Sequence, residues 1–280
     1  AVLNVLGVRW LLLRTGMLLN PRDRPKVKQV QIMGIELLVL ANEDVGRRIA
    51  FLKRYETRDA EFLVSTIRAG DICLDVGANT GYYTMLMGRA AAAGEVHAFE
   101  PVGINWHLLG GGVALNRLEN VVTNNAALGA KAGETEFSQA IDGAYSSLLA
   151  VGRRPEHRQI KVIVDTIDTY SARCALPRID IMKVDVEGAE ALVIEGARMV
   201  LESDRRRPRV VMLELNSVNL APYGSSIDQM VEKMAGFGYF PQIVDTAGRL
   251  ADFSSEHHDI FQNVFFFSDR NVSGQPGPGI

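Results

Sequence analysis

From residue 72 onward the chain alternates short apolar runs with segments of helical spacing. "DICLDVG", "EVHAFEP", "IDIMKVDVEG" and "PRVVMLELN" are rich in apolar residues, the pattern of strands buried on both faces. Between and after them, "TGYYTMLMGRAAA", residues 103–118, "AEALVIEGARMVLES" and "SSIDQMVEKMAGFG" carry the spacing of helices. Strands alternating with helices build βαβ units, so the fold expected is α/β, with a mostly parallel sheet and helices on both faces. "VVTNNAAL" and "QIKVIVDTI" add strands. "FPQIVD" and "NVFFFS" have no helical segment between them, which predicts an antiparallel last strand in a sheet of seven. Glycines 110–112 weaken the helix expected around them by about 1 kcal/mol each.

A chain of 280 residues suits one large domain, or one domain with an added segment. The expected division is a helical and hairpin extension over 1–50, a main domain over 51–270, and a disordered tail over 271–280. In the extension, "AVLNVLGVRWLLLRTGMLL" is apolar but interrupted by Arg9 and Arg14, too charged for a membrane span. It predicts a helix packed on the domain, on a partner or at a membrane interface. "PRDRPKVK" reads as a linker, and residues 30–40 as a strand in a hairpin with 47–52. "TRDAEFLVSTIRAGD" then places Ala60, Leu63, Val64 and Ile67 on one helix face. Formal net charge is -3, which gives no general attraction to nucleic acid. Cys73 and Cys174 read as two buried thiols in a reducing, cytoplasmic setting.

The chemistry gathers at strand ends, where ligands of open α/β sheets bind. In "DVGANTG", Gly77 and Gly81 let backbone approach a ligand, and the following helix start offers free N–H groups. The next strand ends in Glu100, at the distance from which an acid grips a ribose diol. Together they read as a nucleoside site. The dinucleotide fingerprint G-x-G-x-x-G is absent, because Asn79 stands inside the turn. A nicotinamide-dependent oxidoreductase and a non-catalytic binding homologue remain as alternatives.

"KVDVEG" sets Lys183, Asp185 and Glu187 on one side of a central strand, where charge is unusual. The plainer reading is an internal ion pair that tethers loops. Glu214 ends the neighbouring strand and either faces the same pocket or caps the next helix. "EHHD", Glu256 to Asp259, reads mainly as solvated charge, with His257 a candidate base or substrate contact. No metal is expected. His97, His107 and Trp106 read as structural.

"RYETRDAEFL", "DVGANTGYYT", "AFEP", "NNAALG" and "IDIMKVDVEGAE", in this order, resemble the FkbM family of S-adenosylmethionine-dependent O-methyltransferases over roughly residues 30–267. The resemblance implies a class I methyltransferase fold, S-adenosylmethionine as cofactor and S-adenosylhomocysteine as product. It implies a small-molecule acceptor, a hydroxyl of a sugar, polyketide or other secondary metabolite. It places Asp75, Gly77, Asn79 and Gly81 around the methionine part, and Glu100 on the ribose. Asn125 and Ala126 would flank the adenine, and Tyr55 and Glu56 would cover the cofactor. Asp185 and Glu187 would sit next to the sulfonium. Asp185 is the leading candidate base, or else the partner of the cofactor's ammonium; Lys183, Glu187 and His257 are the alternatives. The oligomeric state is open, a homodimer included.

Overall fold

A computed structural model describes residues 25–140, 157–254 and 262–269. The N-terminal apolar segment, the tail and the "EHHD" stretch with His257 lie outside the described residues. An eight-stranded sheet forms the centre, in the order β12-β11-β13-β10-β9-β3-β4-β5. Its middle strands are β3 (Ile72–Val76), β4 (Glu95–Phe99), β9 (Ile181–Val184) and β10 (Val210–Leu215). β5 (Val121–Asn124) closes one edge, parallel to β4.

Alternation sends successive side chains of each strand to opposite layers. Ile72, Leu74, Val76, Val211, Leu213 and Leu215 enter one core; Cys73, Ile181, Val210 and Met212 enter the other. The second core is covered by α2 (Thr57–Thr66) and α3 (Tyr82–Ala90). α4 (Gly103–Leu115) reaches it through Leu109. The first is covered by α5 (Ile167–Arg173), α6 (Glu190–Glu195), α7 (Arg198–Leu201) and α9 (Ile227–Gly236). The segment expected as one helix after "KVDVEG" is thus two short helices. α8 (Ser217–Leu220) follows β10.

The last strand, β13 (Gln262–Phe267), runs antiparallel between β10 and β11 (Phe240–Val244). β12 (Leu250–Asp252) adds an eighth strand on the outside of β11. "VVTNNAAL" is broken: β5 stays in the main sheet, and β6 (Ala127–Leu128) leaves it. β6 joins β7 (Gly133–Ala140) and β8 (His157–Asp165) in a separate three-stranded sheet.

The N-terminal hairpin differs from the expected pairing. β1 (Val27–Ile32) pairs with β2 (Ile35–Leu40), not with residues 47–52. Met33 and Gly34 both take positive φ, 47° and 75°, as the tightest hairpin loop demands. Residues 44–52 are helical instead: α1 (Asp44–Arg47) runs into a π turn, Arg48–Leu52. The glycine run explains how the hairpin seats. A Cβ on Gly111 would stand 2.6 Å from Leu38 Cδ1, and one on Gly112 2.9 Å from Met85 Cε. Bare backbone therefore lets β2 lie against α4. Asn116 pins the contact by donating from Nδ2 to the Glu36 carbonyl at 2.6 Å and accepting Glu36 N–H on Oδ1 at 2.9 Å.

Asn116→Ala strands both backbone groups of Glu36. The expected cost is about 1–3 kcal/mol of unfolding free energy, read by urea titration. A loss within the scatter of surface substitutions would show that the hairpin is held by apolar packing alone.

Candidate active site

The strand order reverses between β3 and β9, and the functional side chains collect beyond the carboxyl ends of those strands. There lies a cleft of about 1000 Å³, counted out to its open mouth. Its first corner is the turn after β3. Gly77 has φ 77°, and a Cβ there would sit 1.8 Å from the Asp185 carbonyl oxygen. Packing of two strand ends, as well as access from the cleft, forbids a side chain. Asn79 has φ 51°, the left-handed region that asparagine tolerates. Its Oδ1 accepts the Thr80 N–H at 2.7 Å, so the side chain caps the turn a third glycine would leave bare.

Glu100 closes this corner. Its Oε2 accepts the Asn79 N–H at 2.8 Å and its Oε1 accepts the Val102 N–H at 2.9 Å. Burial pushes its carboxyl up to about 7, although those N–H groups and Lys183 pull it down. Asn105, in the first turn of α4, also hydrogen-bonds Glu100. Asn105 is 3% exposed, lines the cleft, and its Oδ1 has no partner. A buried, orphaned carbonyl oxygen beside an acid suits a ligand that brings hydroxyl donors. A further acid comes from the hairpin side: burial, then the charge of Glu100, pushes Glu43 up to about 8.

The floor is ionic. The Lys183 ammonium is 3.2 Å from Asp185 Oδ2, 3.5 Å from Asp75 Oδ1 and donates to the Gly77 carbonyl at 3.1 Å. Burial alone would push this lysine down; the charges of Asp185, Asp75 and Glu56 outweigh it and hold the ammonium above the ordinary lysine range. Asp185, Glu187 and Glu214 bring carboxylate oxygens within 4.8 Å of one another. Glu214 is pushed far up, first by burial and then by the charges of Asp185 and Glu187. Glu187 lies just past the strand with φ 55°, and its Oε2 accepts from Asn219 Nδ2 at 2.7 Å. Glu190 holds this turn by accepting the N–H groups of Val186 and Gly188.

Val45 and Ile49, from α1 and the π turn, and Phe137, from β7, line the cleft with Tyr55, Phe99, Ala126 and Leu128. Tyr55, Glu187 and Glu214 also line a second, wider cavity of about 2440 Å³, counted the same way. The two spaces meet at these residues.

Of the residues expected from sequence, the cleft brings together Tyr55, Gly77, Asn79, Glu100, Ala126, Lys183, Asp185 and Glu187. Four expected cofactor residues lie outside its lining. Asp75 is buried beneath it and accepts the Thr84 hydroxyl at 2.6 Å. Gly81 faces Leu109 and Met85. Asn125 donates to the carbonyls of Glu100 and Pro101. Glu56 accepts the Tyr83 hydroxyl at 2.8 Å and lines the wider cavity. Glu214, left open between pocket and helix cap, lines both spaces. Asn216 instead caps α8. Sequence reasoning missed Asn105, a lone amide one turn after "FEP", and Glu43, which has no sequence signal at all.

The glycine turn, the strand order and the inserted antiparallel strand define a class I methyltransferase fold. The methyltransferase FkbM domain is matched over residues 75–241, more than half of the chain. The chain belongs to the FkbM methyltransferase family. It is similar to methyltransferase sdnD of Sordaria araneosa, 26% identical over 162 residues, which are 48% of this chain and 62% of that protein. The chain thus spans less than two thirds of that relative. Among solved structures it is similar to M. jannaschii TYW2 in complex with AdoMet, at 9% identity and TM-score 0.44, covering 87% of this chain and 86% of that one. It is also similar to the O-methyltransferase from Bacillus cereus in complex with SAH, at 14% identity and TM-score 0.40, covering 76% and 81%.

Glu43 and Glu100 are raised acids, so the folded protein holds protons that the unfolded chain releases. Their contribution to stability is fully present below about pH 4.5 and is lost as pH rises through about 7 to 8. Glu43→Gln should flatten the fall in unfolding free energy between pH 5 and 8. An unchanged slope would mean that the Glu43 carboxyl is hydrated.

Proposed function

We propose that this chain transfers a methyl group from S-adenosylmethionine to a hydroxyl of a small molecule, a sugar or another secondary metabolite. One observation carries the reading: the acids Glu187 and Glu214 stand where the cleft that suits a nucleoside meets a separate cavity that an acceptor can fill. The lining of the cleft supports a cofactor there. Glu100 and Asn105 offer acceptors for the ribose hydroxyls, and Phe99, Ala126 and Leu128 offer apolar surface for the adenine. The Lys183–Asp185 pair offers both signs of charge to an amino acid head group.

The cofactor supplies an electrophilic methyl group. The protein must align the acceptor oxygen with it and remove a proton; alignment alone is worth roughly 7–11 kcal/mol. Glu187 takes the hydroxyl proton onto a carboxylate oxygen, with Asn219 fixing its orientation. Glu214, held protonated by burial and its acidic neighbours, serves as a donor, not as the base. Asp185 is neutralised by Lys183 at 3.2 Å and falls to the cofactor side. The same three carboxyls share a proton in this scheme, so no cation is required, and transfer should persist after exhaustive EDTA treatment. A rate restored only by added Mg²⁺ would turn them into metal ligands.

Glu187→Gln should slow single-turnover methyl transfer by about 10²–10⁴-fold, the usual contribution of a general base, with cofactor affinity little changed. Asp185→Asn should weaken cofactor binding first. The reverse pattern would restore Asp185 as the base. Glu100→Ala should weaken S-adenosylhomocysteine by roughly 1.5–3 kcal/mol and Asn105→Leu by about 0.5–1.5 kcal/mol, both by calorimetry. Unchanged affinity in both would remove the ribose from this corner. Labelled methyl transfer to a panel of glycosides and aglycones tests the acceptor class.

A further inference from the structure

Four basic residues, Arg48, Lys53, Arg54 and Arg58, line the wider cavity. Their charges are not equally compensated. Arg48 is 3.1 Å from Asp44, and Arg58 acts on the neighbouring Asp59. Among the described residues, Lys53 reaches only a neutral group, the Gln31 carbonyl at 3.3 Å. Arg54 is exposed and has no hydrogen bond or ion pair among the described residues.

The backbone that presents these two cations is unusual. They follow the π turn Arg48–Leu52, and Lys53 closes that turn with φ 52° in the left-handed region. A π turn ending in a strained lysine is maintained against its own preference, as happens where a side chain must be aimed. Acids that line the same space are held by other groups: Asp44 pairs with Arg47 and Arg48, and Asn263 Nδ2 donates to Glu56 and Asp59.

We propose that the acceptor is an oxyanion-bearing hydroxyl compound, and that Lys53 and Arg54 bind its phosphoryl or carboxylate group while its hydroxyl reaches Glu187. This rests on the methyltransferase reading of the two cavities. Both cations are exposed and line the wider space, so they can steer an anion inward and fix which end of the acceptor leads.

The test is calorimetry on the full chain saturated with S-adenosylhomocysteine, titrated with inorganic pyrophosphate and, separately, with citrate. At least one probe should bind with unit stoichiometry, more weakly as salt rises. Lys53→Ala combined with Arg54→Ala should weaken it tenfold or more, with S-adenosylhomocysteine affinity within twofold of the parent. The tighter probe tells phosphoryl from carboxylate. No binding of either probe, or equal binding by the double variant, overturns the proposal while leaving the cofactor reading intact. Failure of the parent protein to bind S-adenosylhomocysteine would instead overturn the cofactor reading and this proposal with it.

Discussion

A buried ammonium organises this protein. Lys183 is 3% exposed in the middle of the central sheet, where an unpaired charge would cost several kcal/mol. Asp75 on β3, Asp185 past β9 and the Gly77 carbonyl surround it, and the Tyr83 ring lies 5.3 Å away. The partners come from the floor beneath the cleft, from its glycine turn, from the end of the neighbouring strand and from α3. The one ammonium therefore ties the glycine turn, the two neighbouring strand ends and α3 into a fixed arrangement. Asp75 does its share from below the cleft, and Gly77 is bare because the Asp185 carbonyl occupies the space of its missing side chain.

The roof is built differently, by removing side chains. Glycines at 111 and 112 flatten one face of α4 and let β2 approach. That approach carries α1 and the π turn over the cleft, where Val45 and Ile49 become lining. The same segment presents Glu43 to Glu100. A run that weakens a helix in isolation is thus repaid in tertiary contact.

Much of the fold could be read locally. Continuous apolar runs marked the buried parallel strands, and the lack of a helix between the last two runs marked the antiparallel one. The turn residues and Glu100 were legible because glycine spacing and strand ends are local facts. Pairing was not. "RIAFL" looks like a strand, but Asp44 starts a helix that continues through it, and the true partner of β2 is reached by a two-residue loop with no Asn-Gly signal. Likewise "QIKVIVDTI" reads correctly as a strand, but its separate sheet is decided by contacts with β7. Gly81 looked like a site residue by its turn and Asn125 by the family resemblance; which way each points depended on Leu109 and Met85 for the one and the Glu100 carbonyl for the other. Asn105 escaped notice because an amide in an apolar helix is ordinary until its oxygen is seen to lack a partner.

β13 lies inside the sheet, not at its rim, with β10 on one side and β11 on the other. Its Asn263 donates to Glu56 and Asp59, which flank the wider cavity. On a ribosome, residues 262–267 emerge after every other described element of the sheet. Until they do, β10 has an open edge and Glu56 lacks one of its hydrogen-bond donors. The growing chain can assemble the glycine turn early, but the wall of the wider cavity is completed only by a late insertion between two strands already made. Damage to this short segment would therefore act on the chemistry and on the solubility of the nascent protein at once.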